Sequence, residues 1–189
     1  MTKETIRLAH GSGGLLTSQL IKRIILKYFK NKTLKQLTDS AALRMTSKNI
    51  AFTTDSYVID PIFFPGGDIG MLAIYGTVND LAMQGAVPRY ISFSLIIEEG
   101  FSIHDFERVL KSAAQAARKA RVEVVCGDTK VVEKGKADKL FITTSGVGVL
   151  KMHLGKERVK KGDAVIVSGT IGDHGIAVMN ERLNLGLKS

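Results

Sequence analysis

Strand-like segments alternate with helix-like segments along most of this chain, and this alternation restricts the fold more than any other feature. Apolar residues at helical spacing predict three helices: one with a stripe from Leu16 to Phe29 and Thr17 or Ser18 as its cap, one over 69–84, and one capped by Ser102. β-rich runs predict strands at 50–54, 90–97, 122–126 and 140–150. The expected fold class is therefore α/β.

A charged connector over 151–162 divides the chain into two unequal parts. Residues 1–155 are predicted to form the amino-terminal domain. Residues 156–189 are predicted to form the first strand, AVIVSG at 164–169, and the first helix of an incomplete second domain. One strand and one helix cannot bury their own apolar faces, so we expect disorder, an exchanged arrangement or added oligomer contacts in this part.

The net charge of +9 raises the question of a nucleic-acid partner. The basic residues are dispersed, only 6% of residues are aromatic, and there is no tryptophan to stack on bases, so the pattern argues against nucleic acid. The apolar runs are too short to cross a bilayer. Cys126, the single cysteine, cannot form an internal disulfide, and the expected compartment is the cytoplasm.

Aspartates recur at the ends of predicted strands and inside apolar helical patterns: Asp39, Asp55, Asp80, Asp128 and Asp173. A buried carboxylate is costly unless it is paired or bound to a metal, so their convergence predicts a divalent cation site. Mg²⁺ suits it, because this ion binds carboxylates together with water and substrate phosphates. Singly, Asp39, Asp55 and Asp128 are also typical of turns or caps, whereas Asp80, inside an apolar helix beside Asn79, favours a function.

The glycine-rich segment at 10–14, HGSGG, precedes the first helix and could offer backbone N–H groups to phosphate. It is equally typical of a flexible lead-in. The chain lacks a P-loop motif, a dinucleotide-binding glycine fingerprint and a zinc-type cluster of cysteine and histidine. The residues by themselves therefore predict a metal and a phosphate, and no more specific chemistry.

Longer strings carry a family resemblance: HGSGG, FTTDSYVIDPIFFPGGDIG, YGTVNDLAMQGAVPRY, EEGF, GDTKVVEKG and SGTIGDHGIAV. Together they resemble the amino-terminal portion of the HypE family of hydrogenase maturation factors. That family belongs to the PurM-like superfamily of aminoimidazole ribonucleotide (AIR) synthetase, selenophosphate synthetase and thiamine-monophosphate kinase. TTDS, NDLA and GDT are shared across the superfamily, whereas PGGDIG, GDTKVV and SGTIGDHG are typical of HypE. The resemblance covers nearly all 189 residues.

The resemblance implies a PurM-like domain whose mixed sheet, covered by helices, pairs with the sheet of a second copy to form a barrel. It also implies that ATP binds beside this interface and that the five aspartates hold Mg²⁺. Asp80 and Lys130 would be the catalytic residues. The nucleotide would be bound by His10, Gly11, Gly13, Gly14, Asp55, Asn79, Asp80, Asp128, Thr129 and Lys130.

The activity implied by the resemblance is a carbamoyl dehydratase reaction. HypE proteins use ATP to dehydrate a carboxamide on their own carboxy-terminal cysteine to a thiocyanate, which supplies cyanide ligands to [NiFe]-hydrogenases. The implied partners are a second copy, the carbamoyltransferase HypF and the HypC–HypD complex. This sequence has neither the second domain nor that cysteine, so we expect it to be inactive alone. Another superfamily activity, of the kinase or selenophosphate synthetase type, and a non-catalytic dimerisation module stay open as alternatives.

Overall fold

The structure is a computed structural model that describes residues 4–38, 40–45 and 47–187. Its strands are β1 (Ile50–Tyr57), β2 (Phe63–Phe64), β3 (Gly67–Asp68), β4 (Ala86–Glu98), β5 (Glu123–Val132) and β6 (Leu140–Leu150). β2 and β3 form a short hairpin, and the main sheet has the order β1-β6-β4-β5. This sheet is mixed, because β4 and β5 are parallel while β6 is antiparallel to both β1 and β4.

The helices are α1 (Leu15–Leu20), α2 (Leu26–Tyr28), α3 (Ile69–Met83), α4 (Ile103–Ala120) and α5 (Asp173–Leu183), with a π-helical turn at Ile21–Ile25. The first four cover one face of the main sheet. α3 packs against α4 and the sheet, and fully buried residues such as Ile74, Phe106 and Ile142 lie in the core between them. The predicted α/β class, with a mixed sheet covered by helices, is confirmed.

Side-chain caps begin the two long helices. At the start of α3, the Asp68 carboxylate accepts hydrogen bonds from the backbone N–H groups of Gly70 and Met71, at 2.8 and 3.0 Å. At the start of α4, the Ser102 hydroxyl accepts the N–H of Asp105 at 3.4 Å, which confirms the predicted cap.

The first helix starts earlier than its predicted caps allow. α1 begins at Leu15, directly after Gly14, so the prediction that Thr17 or Ser18 caps it is wrong. Thr17 lies in the first turn, where its hydroxyl accepts the N–H of Gly13 at 2.9 Å. The hydroxyl thus stabilises the loop that precedes the helix, and it does not cap the first residue of the helix.

β1 and β5 continue well past their predicted ends at residues 54 and 126. Asp55 pairs with Thr144 of β6, and Asp128 pairs with Ser94 of β4, so both aspartates lie inside strands. The prediction that they follow the strands is wrong. The neighbouring strands continue the backbone ladder through polar residues, and such tertiary pairing overrides local strand propensity.

The predicted strand at 164–169 does not form. These residues have no ladder partner and are exposed, with Val165 at 95% and Ile166 at 88% of full exposure. The physical reason is that a strand requires a neighbour for its backbone groups, and no described strand lies beside this segment. The domain boundary at 155/156 stays a prediction.

The predicted helix in the same part does form, as α5, and it docks on the β2–β3 hairpin. The ring of His174 stands edge-on to Phe64, with the ring centres 5.4 Å apart. Arg182 Nε donates to the backbone carbonyl of Asp60 at 2.7 Å, and Val178 is buried. α5 is therefore held on the first domain by an aromatic, a polar and an apolar contact.

Candidate functional site

Asp55 and Asp80 lie near each other, where β1 faces α3. Thr53 Oγ1 donates to the Asp80 carboxylate at 3.1 Å, and the Tyr57 hydroxyl is hydrogen-bonded to Thr77 of α3 at 3.3 Å. Side chains two residues apart on a strand share a face, so Asp55 also faces α3, between these two contacts. We call Asp55 and Asp80 the β1–α3 pair.

The β1–α3 pair is more exposed than the apolar pattern of the helix predicts. Asp80 and its neighbour Asn79 are exposed, and Asp55 is half-buried. The buried stripe of α3 passes through Thr77 and Leu81, and Asn79 and Asp80 lie beside this stripe. The expectation that Asp80 is buried is therefore wrong, and the burial argument for a metal does not hold. What remains is two carboxylates on facing elements.

The glycine-rich segment lies against β5. A methyl group on Gly11 would come within 2.5 Å of the backbone nitrogen of Val131, so this close approach requires glycine. Gly13 has φ of +82°, a conformation that also favours glycine. The His10 ring accepts the N–H of Arg7 through Nδ1 at 2.9 Å, which fixes the turn. The segment is thus ordered beside the strand that carries Lys130.

Asp128, Thr129 and Lys130 of β5, with the glycine-rich segment at 10–14, are called the β5 group here. Asp128 and Lys130 are exposed, and the Asp128 carboxylate accepts the N–H of Thr129 at 2.8 Å. The ammonium group of Lys130 and the backbone N–H groups of the glycine-rich segment suit a phosphate, and the Asp128 carboxylate suits the cation that accompanies it. The structure therefore brings together the segment and the GDTK motif that the sequence treats separately.

The β5 group and the β1–α3 pair are separated within one chain. β1 and β5 are the two edge strands, so three inter-strand spacings, roughly 14 Å, divide Asp55 from Asp128. Phe93 and Leu95 of β4 are buried beneath the helices, so Ser94 between them points to the face that the helices leave uncovered, here called the open face. Asp128 pairs with Ser94 and therefore points to the open face as well. Asp55 points to the helical face, and one chain does not unite the two groups.

An apolar groove of about 370 Å³ borders the β5 group. It runs between α1, the turn at Leu34–Gln36 and β5, and it is lined among others by Thr17, Ile21, Leu37 and Cys126. Cys126 is half-buried, and burial raises the pKa of its thiol, so it is a poor nucleophile at neutral pH.

The carboxylates fit Mg²⁺ only together with a phosphate ligand. Among residues 4–38, 40–45 and 47–187, no group of three or more His, Cys, Asp or Glu side chains could hold a metal ion. Mg²⁺ is commonly bound through one or two carboxylates plus waters and substrate phosphates. The β1–α3 pair meets that requirement. Asp39 lies outside the described residues.

Asp173 lies apart from the other aspartates. It begins α5, where the hydroxyl of Thr170 donates to its carboxylate. The next residue, His174, packs on Phe64 of the hairpin that precedes α3, whereas Asp80 lies near the far end of that helix. With a rise of 1.5 Å per residue, roughly 16 Å of α3 separates the start of the helix from Asp80. A role for Asp173 in metal binding stays a prediction.

Several polar residues that the sequence argument missed contact the β1–α3 pair. Thr53, Tyr57 and Thr77 lie on the facing surfaces of β1 and α3, and Thr144 lies on β6 behind them. The signal was available in part, since TTDSY places Thr53, Asp55 and Tyr57 on one face of a strand by alternation. The helical partners could not be found without the docking of α3.

Within the described part of the chain, no helix combines the length and apolar character that a membrane span needs.

Comparisons with known proteins agree on one family. A family model described as AIR synthase related protein, N-terminal domain, matches residues 37–150. The carbamoyl dehydratase HypE of Rhizobium leguminosarum bv. viciae is 51% identical over 182 residues, which are 95% of this chain and 52% of that protein. A crystal structure of the hydrogenase maturation protein HypE in complex with ATP matches with a TM-score of 0.93 and 47% identity, over 97% of this chain and 55% of that one.

A chain from a crystal structure of a HypE–HypF complex matches with a TM-score of 0.73 and 48% identity, over 90% of this chain and 55% of that one. These findings confirm the resemblance that the motifs indicate. The chain spans about half the length of the curated relatives it matches.

Proposed function

This chain belongs to the family of AIR synthase related proteins, and we propose that it is the ATP-binding portion of a HypE-type carbamoyl dehydratase acting in hydrogenase maturation. The observation that carries the proposal is that residues suited to bind a metal and a phosphate lie on the two edges of the sheet. The β1–α3 pair lies on one edge and the β5 group on the other. The match to a HypE structure in complex with ATP supports the choice of nucleotide.

In the proposed site, each group has a separate task. Asp55 and Asp80 hold Mg²⁺, whose charge offsets that of the phosphates. Lys130 and the backbone N–H groups around Gly13 bind phosphate oxygens, and the apolar groove beside β5 takes the base. The flat, largely apolar base suits a groove lined by Ile21 and Leu37, and Gly13 of the glycine-rich segment also lines this groove.

The proposed reaction is the dehydration of a carboxamide carried on a cysteine sulfur. The amide oxygen attacks the γ-phosphorus of ATP and ADP leaves; the C–O bond then breaks as phosphate departs, and both N–H protons are lost, giving the thiocyanate. Asp80 would act through the Mg²⁺ that it holds, and Lys130 would act directly on phosphate oxygens. Both would offset the negative charge of the phosphates, since phosphoryl transfer depends on positioning and electrostatics. Within the 189 residues the only thiol is Cys126, whose burial makes it unsuitable as the carrier. We therefore expect no complete turnover by this chain alone.

We further propose that two copies pair through the open face of the sheet. This face has exposed apolar residues on separate strands, Phe52 at 67% and Ile96 at 42% of full exposure, beside a row of Ser and Thr hydroxyls. Closing two four-stranded sheets into one barrel brings edge strands of the two copies together. If β1 meets the second copy's β5, the strand that bears Asp55 in one chain lies directly beside the strand that bears Asp128 and Lys130 in the other. HypF and the HypC–HypD complex are the proposed further partners, and a solved HypE–HypF complex supports the first.

Calorimetric titration of the 189-residue chain with ATP tests the nucleotide proposal. ATP should bind in the presence of Mg²⁺, and EDTA or Asp80→Asn should weaken binding strongly while the far-UV circular dichroism stays unchanged. Asp163→Asn is the matched control, because Asp163 lies exposed directly after the connector. A chain that dimerises but binds no nucleotide with Mg²⁺ would contradict the proposal and favour the dimerisation module.

A further inference from the structure

A chain of buried hydroxyl groups lies directly behind the β1–α3 pair. Thr77 of α3 and Thr144 of β6 are fully buried, and the Tyr57 side chain beside them is 7% exposed. In the described part of the chain, these three are the buried residues with a hydroxyl group. Thr77 Oγ1 is hydrogen-bonded to Thr144 Oγ1, to the Tyr57 hydroxyl at 3.3 Å and to the carbonyl of Ala73 at 3.1 Å. Every member therefore has a partner, which is what burial of polar groups demands.

Two glycines allow this network to form at the sheet–helix interface. A methyl group on Gly76 would overlap the Tyr57 hydroxyl, and one on Gly146 would come within 2.6 Å of the Thr77 side chain. α3 can thus approach β1 and β6 closely only because these positions lack side chains. The helix is held at one distance from the sheet, and the hydroxyls fix its position along the strand.

The network and the carboxylates share the same two elements. Tyr57 is two residues beyond Asp55 on the same face of β1, and Thr77 is one helical turn before Asp80. On the other side of Asp55, Thr53 donates to Asp80. Asp55 therefore lies between two cross-links that join β1 to α3, one formed by Tyr57 and Thr77 and one formed by Thr53 and Asp80.

We propose that Tyr57, Thr77 and Thr144 are positioning residues that set the separation of the Asp55 and Asp80 carboxylates for a divalent cation. This inference rests on the proposed function, because it assigns a role within the same metal site. The hydroxyls do not contact the metal in this arrangement. They act through α3, since any shift of the helix along β1 moves Asp80 relative to Asp55.

Matched substitutions at Thr77 test the inference. Thr77→Val keeps the shape and removes the hydroxyl, whereas Thr77→Ser keeps the hydroxyl. Mn²⁺ binding in the presence of ATP is measured by electron paramagnetic resonance, with ATP binding in EDTA measured separately. Thr77→Val should weaken Mn²⁺ binding by about 10-fold, the lower end for residues that orient metal ligands, while Thr77→Ser restores it. Metal-free ATP binding should not change in either variant.

Tyr57→Phe provides the second variant, which deletes one oxygen and keeps the ring in place. It should weaken Mn²⁺ binding in the same direction. If Thr77→Val and Tyr57→Phe are folded and bind Mn²⁺ as tightly as the wild type, while Asp80→Asn does not bind it, the positioning role is overturned and the proposed function stands. Absence of Mn²⁺ binding in the wild type, or retention in Asp80→Asn, would overturn the proposed function and this inference with it.

Discussion

The β1–α3 pair and the β5 group both contain aspartates but are supported in different ways. Asp55 and Asp80 stand on elements joined by buried hydroxyls and by close helix–sheet contact at Gly76 and Gly146. Asp128 and Lys130 stand on an edge strand and are exposed. Geometry in the first region is thus set by the core. In the second region it depends on the glycine-rich segment and on whatever pairs with the edge of β5.

This difference assigns different tasks to the two regions. A metal site requires fixed ligand positions, and the rigid β1–α3 interface provides them. Phosphate binding by Lys130 and backbone N–H groups tolerates small movements, because a charged ammonium group reaches its target on a flexible side chain. Substitutions that disturb the support of a region should therefore lower stability more in the first region than in the second, whereas removal of a ligand side chain should weaken binding in either region.

The largest expected effect concerns the union of the two regions across a dimer. Asp80→Ala and Asp128→Ala should each weaken Mg²⁺-dependent ATP binding by about 100-fold, ~3 kcal/mol. If the second copy's β5 completes each site, mixing the two variants after unfolding and refolding should restore about a quarter of the sites, because half of the dimers are mixed and each mixed dimer has one intact site. Calorimetry measures the recovered stoichiometry.

No recovery on mixing, with dimers confirmed by light scattering, would contradict a shared site. The two regions would then have to work separately. Mixing Asp80→Ala with Asp80→Asn is the control, since both chains lack the same carboxylate and no combination of the two restores it.

Two glycine substitutions compare the supports directly. Gly76→Ala forces a methyl group onto the Tyr57 hydroxyl in the core and should lower the free energy of unfolding by about 2 kcal/mol, as overpacking does. Gly11→Ala meets the Val131 backbone, but the turn that carries Gly11, Leu8–Gly11, has no buried residue to hold it in the core, so we expect it to shift away from β5. It should therefore reduce ATP binding with a smaller loss of stability, measured by urea unfolding beside calorimetry.

Gly175→Ala is the control, because a methyl group there meets no neighbouring atom in α5. It should leave ATP binding unchanged and stability unchanged or slightly raised, since alanine favours helix more than glycine does. Equal losses of stability in Gly76→Ala and Gly11→Ala would show that the two supports do not differ.

Lys130 should account for a moderate part of the binding. Lys130→Gln removes an exposed cation from the β5 group and should weaken ATP binding by about 5-fold, ~1 kcal/mol, with a reduced dependence on salt concentration. Stability should not change. Lys134→Gln, an exposed lysine four residues further along, should show neither effect. Titrations with ATP at two salt concentrations distinguish the two variants. If both variants lose the same ATP affinity, Lys130 contributes only as part of the general surface charge.

The strand and helix order could be predicted from the sequence because apolar periodicity reflects burial in a single chain. Polar residues lower strand propensity, so the sequence predicts Asp55 and Asp128 at strand ends, but ladder pairing with Thr144 and Ser94 carries both strands through them. The apolar neighbours of Asp80 predict its burial, but the rotation of α3 leaves it at the edge. That rotation depends on long-range contacts at Gly76 and Gly146, which no local pattern encodes.

The smallest expected effect is a pH dependence confined to the β5 region. Glu98 accepts the backbone N–H groups of Gly135 and Lys139, and these bonds, the first above all, lower its pKa below the usual 4.5. A lowered pKa in the folded state stabilises the protein above the unfolded value, and this stabilisation is lost as pH falls through the folded value. The protection of β5 and β6 amides next to the 133–139 loop, taken relative to their intrinsic exchange rates, should therefore fall below about pH 4. The protection of β1 and α3 amides should not.

Glu98→Gln should remove this acid dependence and make the loop exchange faster at neutral pH, because a neutral amide accepts these hydrogen bonds less strongly than a carboxylate. Glu133→Gln, an exposed change in the same loop, is the control. The urea midpoint of Glu98→Gln should lie below that of the wild type at pH 7, and the two should converge as the pH falls towards 3. If β1 and α3 amides show the same acid response, the two regions unfold as one unit, and their separation would apply to chemistry and not to stability.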